Sequence, residues 1–430
     1  MSDLSVVLSV VPTLAAEPHA SMRECPECGL FQAVPALRPG SVADCVRCGA
    51  LLRRRHKDAL GTTLALSVTG LVLLMVAAGS PLFALRLAGR ERHITMLDLP
   101  SAFTEDGFWE LAVIVLAFTL VAPLIKLLLT VGILTGLDGR LAPSTLAAME
   151  RWRQRLTPWA MIEVFLLGAF VAYTRLASMA TVEVGVALYA LGALMVVMVA
   201  ADATLDEHAL WEAIGRRRRT PAAMGSGPLI GCDSCGRVSR TLPGAPCPRC
   251  NAPLRLRKPD SLARTWALLV AAAALYVPAN LYPVLTVIRL GKGAPSTILG
   301  GVEELIEYRM WPLALLVFVA SIVVPVMKLV SLSILLVATQ RGSAVRLRDR
   351  TRLFRGIDAI GRWSMIDIFM ASVLVALVRL GLLASVHPGL GGLCFAGTVI
   401  LTMLASFSFD PRLMWDAAGQ TGCDAAERSA

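Results

Sequence analysis

Eight cysteines form two groups that have the spacing of metal ligands. Each group contains two Cys-x-x-Cys pairs, separated by 16 residues in the first group and by 11 in the second. The ligands are Cys25, Cys28, Cys45 and Cys48 in the first group and Cys232, Cys235, Cys247 and Cys250 in the second. Four thiolates from two tight turns can close tetrahedrally around Zn²⁺, so we predict two zinc ribbons. Iron in place of zinc, and redox chemistry at the cysteine pairs, are the alternatives.

A lysine occurs in each of two similar apolar segments, residues 109–130 and 311–331. Both segments begin with Trp and contain Pro-x-x-Lys, which places Lys126 and Lys328 at matching positions 202 residues apart. A lysine near the centre of a bilayer costs roughly 2.5–3.5 kcal/mol. We therefore expect each lysine to have a partner or a function.

The candidate partners are carboxylates at the start of the next predicted helix. Glu163 and Asp367 again occupy matching positions, now 204 residues apart. At a rise of 1.5 Å per residue, Lys126 with Glu163 and Lys328 with Asp367 would meet in the cytoplasmic half of the membrane. We predict one charge pair in each half of the chain. Such pairs either fix helix register or form a working site that binds a lipid head group or changes protonation.

Prolines near helix ends indicate a second kind of candidate site, because they remove backbone donors and loosen the last turns. The candidate cavity-lining residues are Pro278, Asn280, Tyr282, Pro283, Pro325 and Arg379. A plain helix end at the membrane surface is the alternative for the first four.

The composition indicates a membrane protein. Of 430 residues, 56% are hydrophobic and 17% charged, and the mean hydropathy is +0.66. Eight apolar runs of about 20 residues are long enough to cross a bilayer as helices. They are residues 60–85, 111–137, 158–176, 182–201, 265–287, 312–339, 363–383 and 390–409.

The basic residues predict the orientation. The net charge is +10, and its clusters are residues 53–57, 140–155, 216–219, 255–258 and 341–362. All of them fall on one side if both termini and both ribbons are cytoplasmic, which is the positive-inside pattern. Membrane orientation thus explains the charge without nucleic acid, and the absence of a phosphate-loop motif gives no reason to expect a nucleotide.

Together these features predict an all-α polytopic membrane protein built as two tandem repeats. Each repeat is a cytoplasmic four-cysteine zinc ribbon followed by a four-helix transmembrane bundle. The predicted boundaries are a mobile N-terminal extension at 1–21, ribbon one at 22–56, bundle one at 57–215, a linker at 216–229, ribbon two at 230–256, bundle two at 257–418 and a tail at 419–430. The extension has no Lys or Arg before its apolar run, so we do not expect a cleaved signal peptide.

Four motifs in this arrangement resemble those of the paraquat-inducible protein A family of bacterial inner-membrane proteins. They are Pro-Ala-Asn at 278–280, Pro-x-x-Lys at 325–328, Trp-Ser-Met-Ile-Asp at 363–367 and Phe-Asp-Pro-Arg-x-x-Trp-Asp at 409–416. The resemblance covers about residues 22–418. The first half departs from it, with Ala-Ala-Gly-Ser at 77–80 and Leu-Asp-Glu-His at 205–208. A site is therefore expected in the second half.

The resemblance implies a non-enzymatic role in lipid trafficking across a Gram-negative envelope. Members of that family work with periplasmic MCE-domain proteins that form tunnels, and the membrane subunit would load or unload phospholipid at the inner membrane. Two other functions remain open from the sequence. One is a membrane thiol or electron-transfer protein that uses the cysteine pairs, and the other is a scaffold that anchors the tunnel without touching lipid.

Overall fold

The computed structural model describes residues 21–55, 58–87, 90–177, 181–217, 227–289, 292–307, 309–378 and 384–420. Within these residues, eight helices are long and apolar enough to cross a membrane. Each of them overlaps one of the eight apolar runs of the sequence. The chain is therefore a mostly helical, multi-pass membrane protein.

The first half of the described chain begins with four short strands and continues into helices. Its elements are β1 (Ser21–Glu24), β2 (Phe31–Val34), β3 (Val42–Asp44), β4 (Leu51–Arg54), α1 (Ala59–Gly79), β5 (Phe83–Leu87), β6 (Arg90–Ile94), α2 (Asp98–Glu105), α3 (Trp109–Leu116), α4 (Ala122–Gly136), α5 (Pro143–Leu156), α6 (Ile162–Ala177), β7 (Thr181–Val184), α7 (Val186–Thr204) and α8 (Glu207–Arg216). We call β1–β4 ribbon one and α1–α8 the first bundle.

The second half follows nearly the same order. Its elements are β8 (Leu229–Gly231), β9 (Val238–Arg240), α9 (Ser261–Leu281), β10 (Leu285–Arg289), β11 (Lys292–Ser296), α10 (Ile298–Glu307), α11 (Trp311–Phe318), α12 (Val324–Gln340), α13 (Leu347–Ile360), α14 (Ile366–Leu377), β12 (Ala384–Pro388), α15 (Leu390–Ser408) and α16 (Arg412–Ala417). We call residues 227–257 ribbon two and α9–α16 the second bundle.

The all-α prediction is wrong at the end of the bundles away from the ribbons. Each bundle carries a three-stranded antiparallel sheet there, in the order β6-β5-β7 or β11-β10-β12. The runs at 60–85 and 265–287 were expected to be helical throughout, but β5 and β10 occupy their ends. Pro81 and Pro283 follow the helices and cannot continue their hydrogen bonding, so the chain leaves the helix and pairs as a strand.

The segments that follow these strands contain short helices that pack against the bundles. Helix α2 buries Leu99 and Phe103, and α10 buries Val302 and Leu305. Helix α2 also packs against α14 of the other bundle. The two bundles are thus joined on the side of the sheets.

A π-helical segment precedes the proline that the two lysine-bearing helices have at matching positions. The segments are Ala117–Val121 and Val319–Val323. Pro123 and Pro325 lie just after them and lack the N–H that would bond to the carbonyl four residues earlier. The preceding residues instead donate to the carbonyl five residues back, Ala122 to Ala117 and Val324 to Val319. The π-helical segment thus accommodates the hydrogen bond that proline cannot make, and the membrane helix continues without a break.

The bundles meet along α6 and α14. Gly168 allows a close approach, because a Cβ there would lie 2.9 Å from Cβ of Phe369 and 3.0 Å from the carbonyl oxygen of Ile366. The rings of Phe165 and Phe369 lie edge to face with centroids 5.7 Å apart. All twelve residues of α14 are buried. Any charge on this helix must therefore be satisfied by protein groups or by a bound ligand.

The two ribbons are exchanged between the bundles. Ribbon one shares a buried cluster with Leu332, Leu335 and Trp415 of the second bundle. Ribbon two shares one with Leu146 and Trp211 of the first bundle. Trp415 is 3% exposed and Trp211 is 2% exposed, and each packs beneath a ribbon.

Matching arginines hold the two exchanged ribbons. Arg355 of α13 donates to the carbonyl oxygen of Cys48 at 2.8 Å. Arg151 of α5, at the matching position 204 residues earlier, donates to the carbonyl oxygen of Cys250 at 2.6 Å. Each arginine thus binds the last metal-ligand turn of the ribbon that belongs to the other half.

This exchange predicts a cross-link between fragments. In a variant without Cys394 and Cys423, cysteines at Val46 and Arg348 should be joined by a short bis-maleimide, because Arg348 donates to the carbonyl oxygen of Val46 at 3.1 Å. After cleavage at a protease site placed within residues 218–226, the two fragments should stay together on a denaturing gel. Single-cysteine variants provide the control. Complete separation of the doubly substituted protein would show that the ribbons are not exchanged.

Candidate metal centres and buried membrane charges

The eight predicted ligands form two closed quartets. In ribbon one, the Sγ atoms of Cys25 and Cys48 are 3.6 Å apart, and those of Cys28 and Cys45 are 3.5 Å apart. In ribbon two, the corresponding distances are 3.4 Å for Cys232–Cys250 and 3.6 Å for Cys235–Cys247. All four sulfurs of each quartet lie within 4.8 Å of one another. A Zn–S bond of about 2.3 Å in a tetrahedron gives an S–S distance of about 3.8 Å, so both quartets fit a metal ion.

Left-handed residues close the turns that present these sulfurs. In ribbon one, Gly29 and Gly49 have φ values of 71° and 70°. Their N–H groups donate to the carbonyl oxygens of Cys25 and Cys45 at 2.9 Å and 2.8 Å. Glycine suits this conformation because it has no Cβ. In ribbon two, Asn251 takes the same role with a φ of 62°.

Glu24 connects the two ribbons and the second bundle. Its carboxylate accepts a hydrogen bond from the N–H of Gly231 at 2.9 Å. It also lies 3.2 Å from both Arg257 and Arg412. Burial raises the pKa of Glu24, while the two guanidinium groups and the Gly231 N–H oppose that rise. A residue beside the metal ligand Cys25 thus contacts the opposite ribbon directly.

A cavity of about 370 Å³ lies between the ribbons and the ends of the bundles. Asp410 lines it and binds Arg412 at 3.0 Å. Burial alone would raise the pKa of Asp410, but the hydrogen bonds and charge of Arg412 hold it below its ordinary value. Burial lowers the pKa of Lys258, whose ammonium donates to the carbonyl oxygens of Phe407 and Phe409. Asp410 and Lys258 on the cavity wall thus have partners within the protein.

Lys126 has a different partner from the one predicted. Its Nζ lies 2.6 Å from Oδ2 of Asp202 near the end of α7. The side chain of Lys126 is 5% exposed and that of Asp202 is 43% exposed. The pair therefore places the charge of the lysine toward the ribbon-side surface, where the acid remains partly hydrated. The predicted pairing with Glu163 is wrong.

Glu163 instead joins the two bundles. Oε1 of Glu163 lies 3.6 Å from Nη1 of Arg362, which belongs to the segment between α13 and α14. A pair between the halves is not indicated by the spacing of residues within each half. The matching position to Arg362 in the first half is Pro158, which carries no charge.

Lys328 is buried without an acidic partner. It is 1% exposed, and its Nζ lies 3.4 Å from Oγ1 of Thr402. Among the described residues, no carboxylate lies within ion-pair distance of it. Gly361 makes room for the amine, since a Cβ there would lie 2.5 Å from Nζ. The position matching Asp202 is Ser406, which explains why the second lysine lacks the acid of the first.

Asp367 is also unpaired, so the predicted Lys328–Asp367 pair is wrong. The residue is 6% exposed, and neither carboxylate oxygen has a hydrogen-bond partner. The neighbouring hydroxyl of Ser321 donates to the carbonyl oxygen of Val317 at 2.6 Å. The second bundle therefore contains a buried cation and a buried carboxylate that do not neutralise each other.

The other candidate cavity-lining residues that the structure describes here lie at or just after the end of helix α9. Pro278 lies inside the last turn of α9, where its carbonyl oxygen accepts from the N–H of Tyr282 at 2.9 Å. Asn280 donates to the carbonyl oxygen of Tyr276 at 2.8 Å. The carbonyl oxygen of Pro283 accepts from Gly391 at 3.1 Å. These hydrogen bonds lie where helix α9 terminates. Arg379 lies outside the described residues.

Comparisons with known proteins place these features in a family. The family model for paraquat-inducible protein A matches residues 60–215 and 262–419. The chain is 33% identical over 401 residues to the intermembrane transport protein PqiA of Escherichia coli K12, covering 91% of this chain and 95% of that protein. It is 31% identical over 400 residues to the lipophilic envelope-spanning tunnel protein A of the same strain, covering 93% and 92%. No solved structure matched the chain.

The closed quartets predict two metal ions per chain. Cys45→Ser should reduce the content to one, because one thiolate of ribbon one is lost. Cys394→Ser should leave two, since that cysteine lies in α15 away from both quartets. Metal analysis of the purified proteins measures both values. Two ions retained after Cys45→Ser would contradict the assignment of this quartet.

Lys126 has an acidic partner and Lys328 has none, so substitutions of the two lysines should differ in their energetic coupling to nearby carboxylates. In a double-mutant cycle, Lys126→Met and Asp202→Asn should show a coupling of about 1–3 kcal/mol, because they remove the two ends of one ion pair. Lys328→Met and Asp367→Asn should couple by less than about 0.5 kcal/mol. Free energies of unfolding in detergent provide the measurement. A larger coupling in the second bundle would mean that its two charges meet directly.

Proposed function

The chain belongs to the paraquat-inducible protein A family, and from this membership we propose that it is an inner-membrane subunit of an intermembrane lipid transport system. It would move phospholipid between the inner membrane and a periplasmic MCE-domain tunnel protein. Its relatives are named as intermembrane transport and envelope-spanning tunnel proteins, which supports this role. No nucleotide or nucleic acid takes part in the proposed function.

The observation that carries the proposal is the pair of unmatched charges in the second bundle. Lys328 and Asp367 are buried among membrane helices without an ion-pair partner within 4 Å among the described residues. Charges in such positions are costly and mark substrate or ion pathways in membrane proteins. The first bundle has the same two charges at matching positions, and both are paired. We therefore assign lipid head-group binding or protonation to the second bundle and a structural role to the first.

In this proposal the ribbons, both termini and the linker are cytoplasmic. The basic clusters lie on the ribbon side of the bundles wherever the structure describes their residues, which supports this orientation. The sheets then face the periplasm, where a tunnel protein would dock. The ribbons would hold Zn²⁺, because four thiolates without a histidine or carboxylate suit a structural zinc site.

A thiol or electron-transfer function is less well supported. All eight quartet cysteines are buried, and each sits in a group of four. A redox pair works through one exposed, activated thiolate, which neither quartet offers. Cysteine substitutions should therefore reduce metal content and stability without a separate redox defect.

Site-specific photocrosslinking tests the lipid function. A benzoyl-phenylalanine at Met370 of α14 should capture phospholipid in native membranes, because Met370 lines the cavity at Asp367. The same probe at Leu166, the matching residue of the first bundle, should capture several-fold less. Lipid adducts are read by mass spectrometry. If no probe on either bundle captures phospholipid, the protein is a scaffold and the transport function is excluded.

A further inference from the structure

We propose that the two cysteine quartets bind metal ions cooperatively and that Glu24 is the positioning residue that couples them. This inference goes beyond the proposed transport function, because it rests only on the quartets as metal sites. Each quartet consists of two ligand turns, and the first turns are residues 25–29 and 232–236. These turns begin directly after β1 and β8, and the two strands pack against each other.

Glu24 connects the residues that precede the first ligand of each quartet. It is the last residue of β1, and Cys25 follows it. Its Oε2 accepts a hydrogen bond from the N–H of Gly231 at 2.9 Å, and Cys232 follows Gly231. A Cβ on Gly231 would lie 2.5 Å from Oε2 and 2.7 Å from Cβ of Glu24, so glycine is required for this approach. The position of one first turn therefore depends on the position of the other.

Two arginines make reciprocal contacts between the same turns. Arg23 of β1 lies against ribbon two, where a Cβ on Gly236 would be 2.7 Å from its Nη1. Arg257 of ribbon two lies against ribbon one, where a Cβ on Gly29 would be 3.1 Å from its Nη2. Gly29 and Gly236 close the first turns, with φ values of 71° and 67°. Each ribbon thus contacts the residue that closes the first turn of the other ribbon.

Arg412 of α16 joins both first turns from the second bundle. Its Nη1 lies 3.2 Å from Oε1 of Glu24 and 3.2 Å from Oδ1 of Asp233, the residue after Cys232. The side chain of Arg412 is 4% exposed and also pairs with Asp410. Hydrogen bonds between charged groups are stronger than neutral ones and are specific in geometry. The two first turns therefore share one buried ionic network.

The second ligand turns are held by the bundles. The carbonyl oxygens of Cys48 and Cys250 accept from Arg355 of α13 and Arg151 of α5. These contacts fix each ribbon to a bundle, whereas the first turns fix one ribbon to the other. Coupling between the metal sites is therefore expected through the first turns.

Cooperativity follows from the small size of the ribbons. A small ribbon has little core of its own, so its ligand turns become ordered together with metal binding. When the first turn of ribbon two is ordered, the N–H of Gly231 holds the carboxylate of Glu24 and with it the adjacent Cys25. Metal binding in ribbon one then has fewer groups to order, which is positive cooperativity. The coupling is equal in both directions by linkage.

A metal titration of the full-length protein in detergent tests the coupling. The protein is equilibrated at defined free Zn²⁺ concentrations set by a chelator, and the bound metal is counted. Cys45→Ser retains only the site of ribbon two, and Cys247→Ser retains only the site of ribbon one. Independent sites would make the curve of the unsubstituted protein the sum of these two curves. We expect a steeper curve whose midpoint lies at least about twofold lower in free Zn²⁺, since a typical coupling factor of roughly 5–150 shifts the midpoint by its square root.

Substitution of Glu24 tests its role as the coupling residue. Glu24→Ala should still bind two ions, but its curve should equal the sum of the single-site curves. Glu27→Ala is the matched control, because this carboxylate lies in the same turn and pairs with Arg355 at 2.9 Å; it should retain the steeper curve. In the Cys45→Ser background, Glu24→Ala should leave the midpoint of ribbon two unchanged, whereas a general structural role would shift it there too.

Each other result contradicts a defined part of the inference. An unsubstituted curve equal to the sum of the single-site curves overturns the coupling. A steeper curve that persists in Glu24→Ala overturns the role of this residue. Fewer than two ions at saturating Zn²⁺ in the unsubstituted protein overturn the metal sites on which the inference rests. If Glu24→Ala fails to fold, Gly231→Ala decides, because its Cβ displaces the carboxylate without changing any charge and should abolish the shift.

Discussion

The requirement that a charge among membrane helices must have a partner organises this structure. Both bundles carry a lysine after a proline and a carboxylate at the start of the next membrane helix. The first bundle satisfies them with Asp202 and Arg362. The matching residues that would serve the second bundle are Ser406 and Pro158, which carry no charge. The two bundles thus carry matching charges, but only those of the first bundle have partners, which makes the second bundle the candidate binding site.

Exchange of the ribbons makes the two halves interdependent. Ribbon one is connected in sequence to α1 of the first bundle, but its cysteines pack against α12, α13 and α16 of the second. Glu24 adds a direct link, since it contacts Gly231 of ribbon two and Arg412 of α16. Small metal-bound modules have little core of their own, and these ribbons gain one from the helices that they cover.

Local patterns in the sequence predict the metal quartets and the membrane helices. The partners of the membrane charges and the sheets depend on long-range packing, which local patterns do not show. Four cysteines at fixed spacing specify the geometry of the turns that carry them. The length of each apolar run shows directly whether it can cross the membrane as a helix. The partner of Lys126 lies 76 residues away near a helix end, and Asp202 has no counterpart in the second half that could reveal it. The sequence does not predict the sheets because their central strands β5 and β10 continue apolar runs, where composition does not distinguish strand from helix.

The contacts between the bundles differ in how easily they can be broken. At the centre, Gly168 brings α6 against α14 in a closely packed apolar contact. On the ribbon side, Glu163 and Arg362 form a pair that is 31% and 38% exposed. On the sheet side, His387 lies 2.9 Å from Asp106. Partly exposed ion pairs contribute only about 0–1 kcal/mol each. The packing of α6 and of α2 against α14 therefore holds the two bundles together more strongly than these polar pairs do.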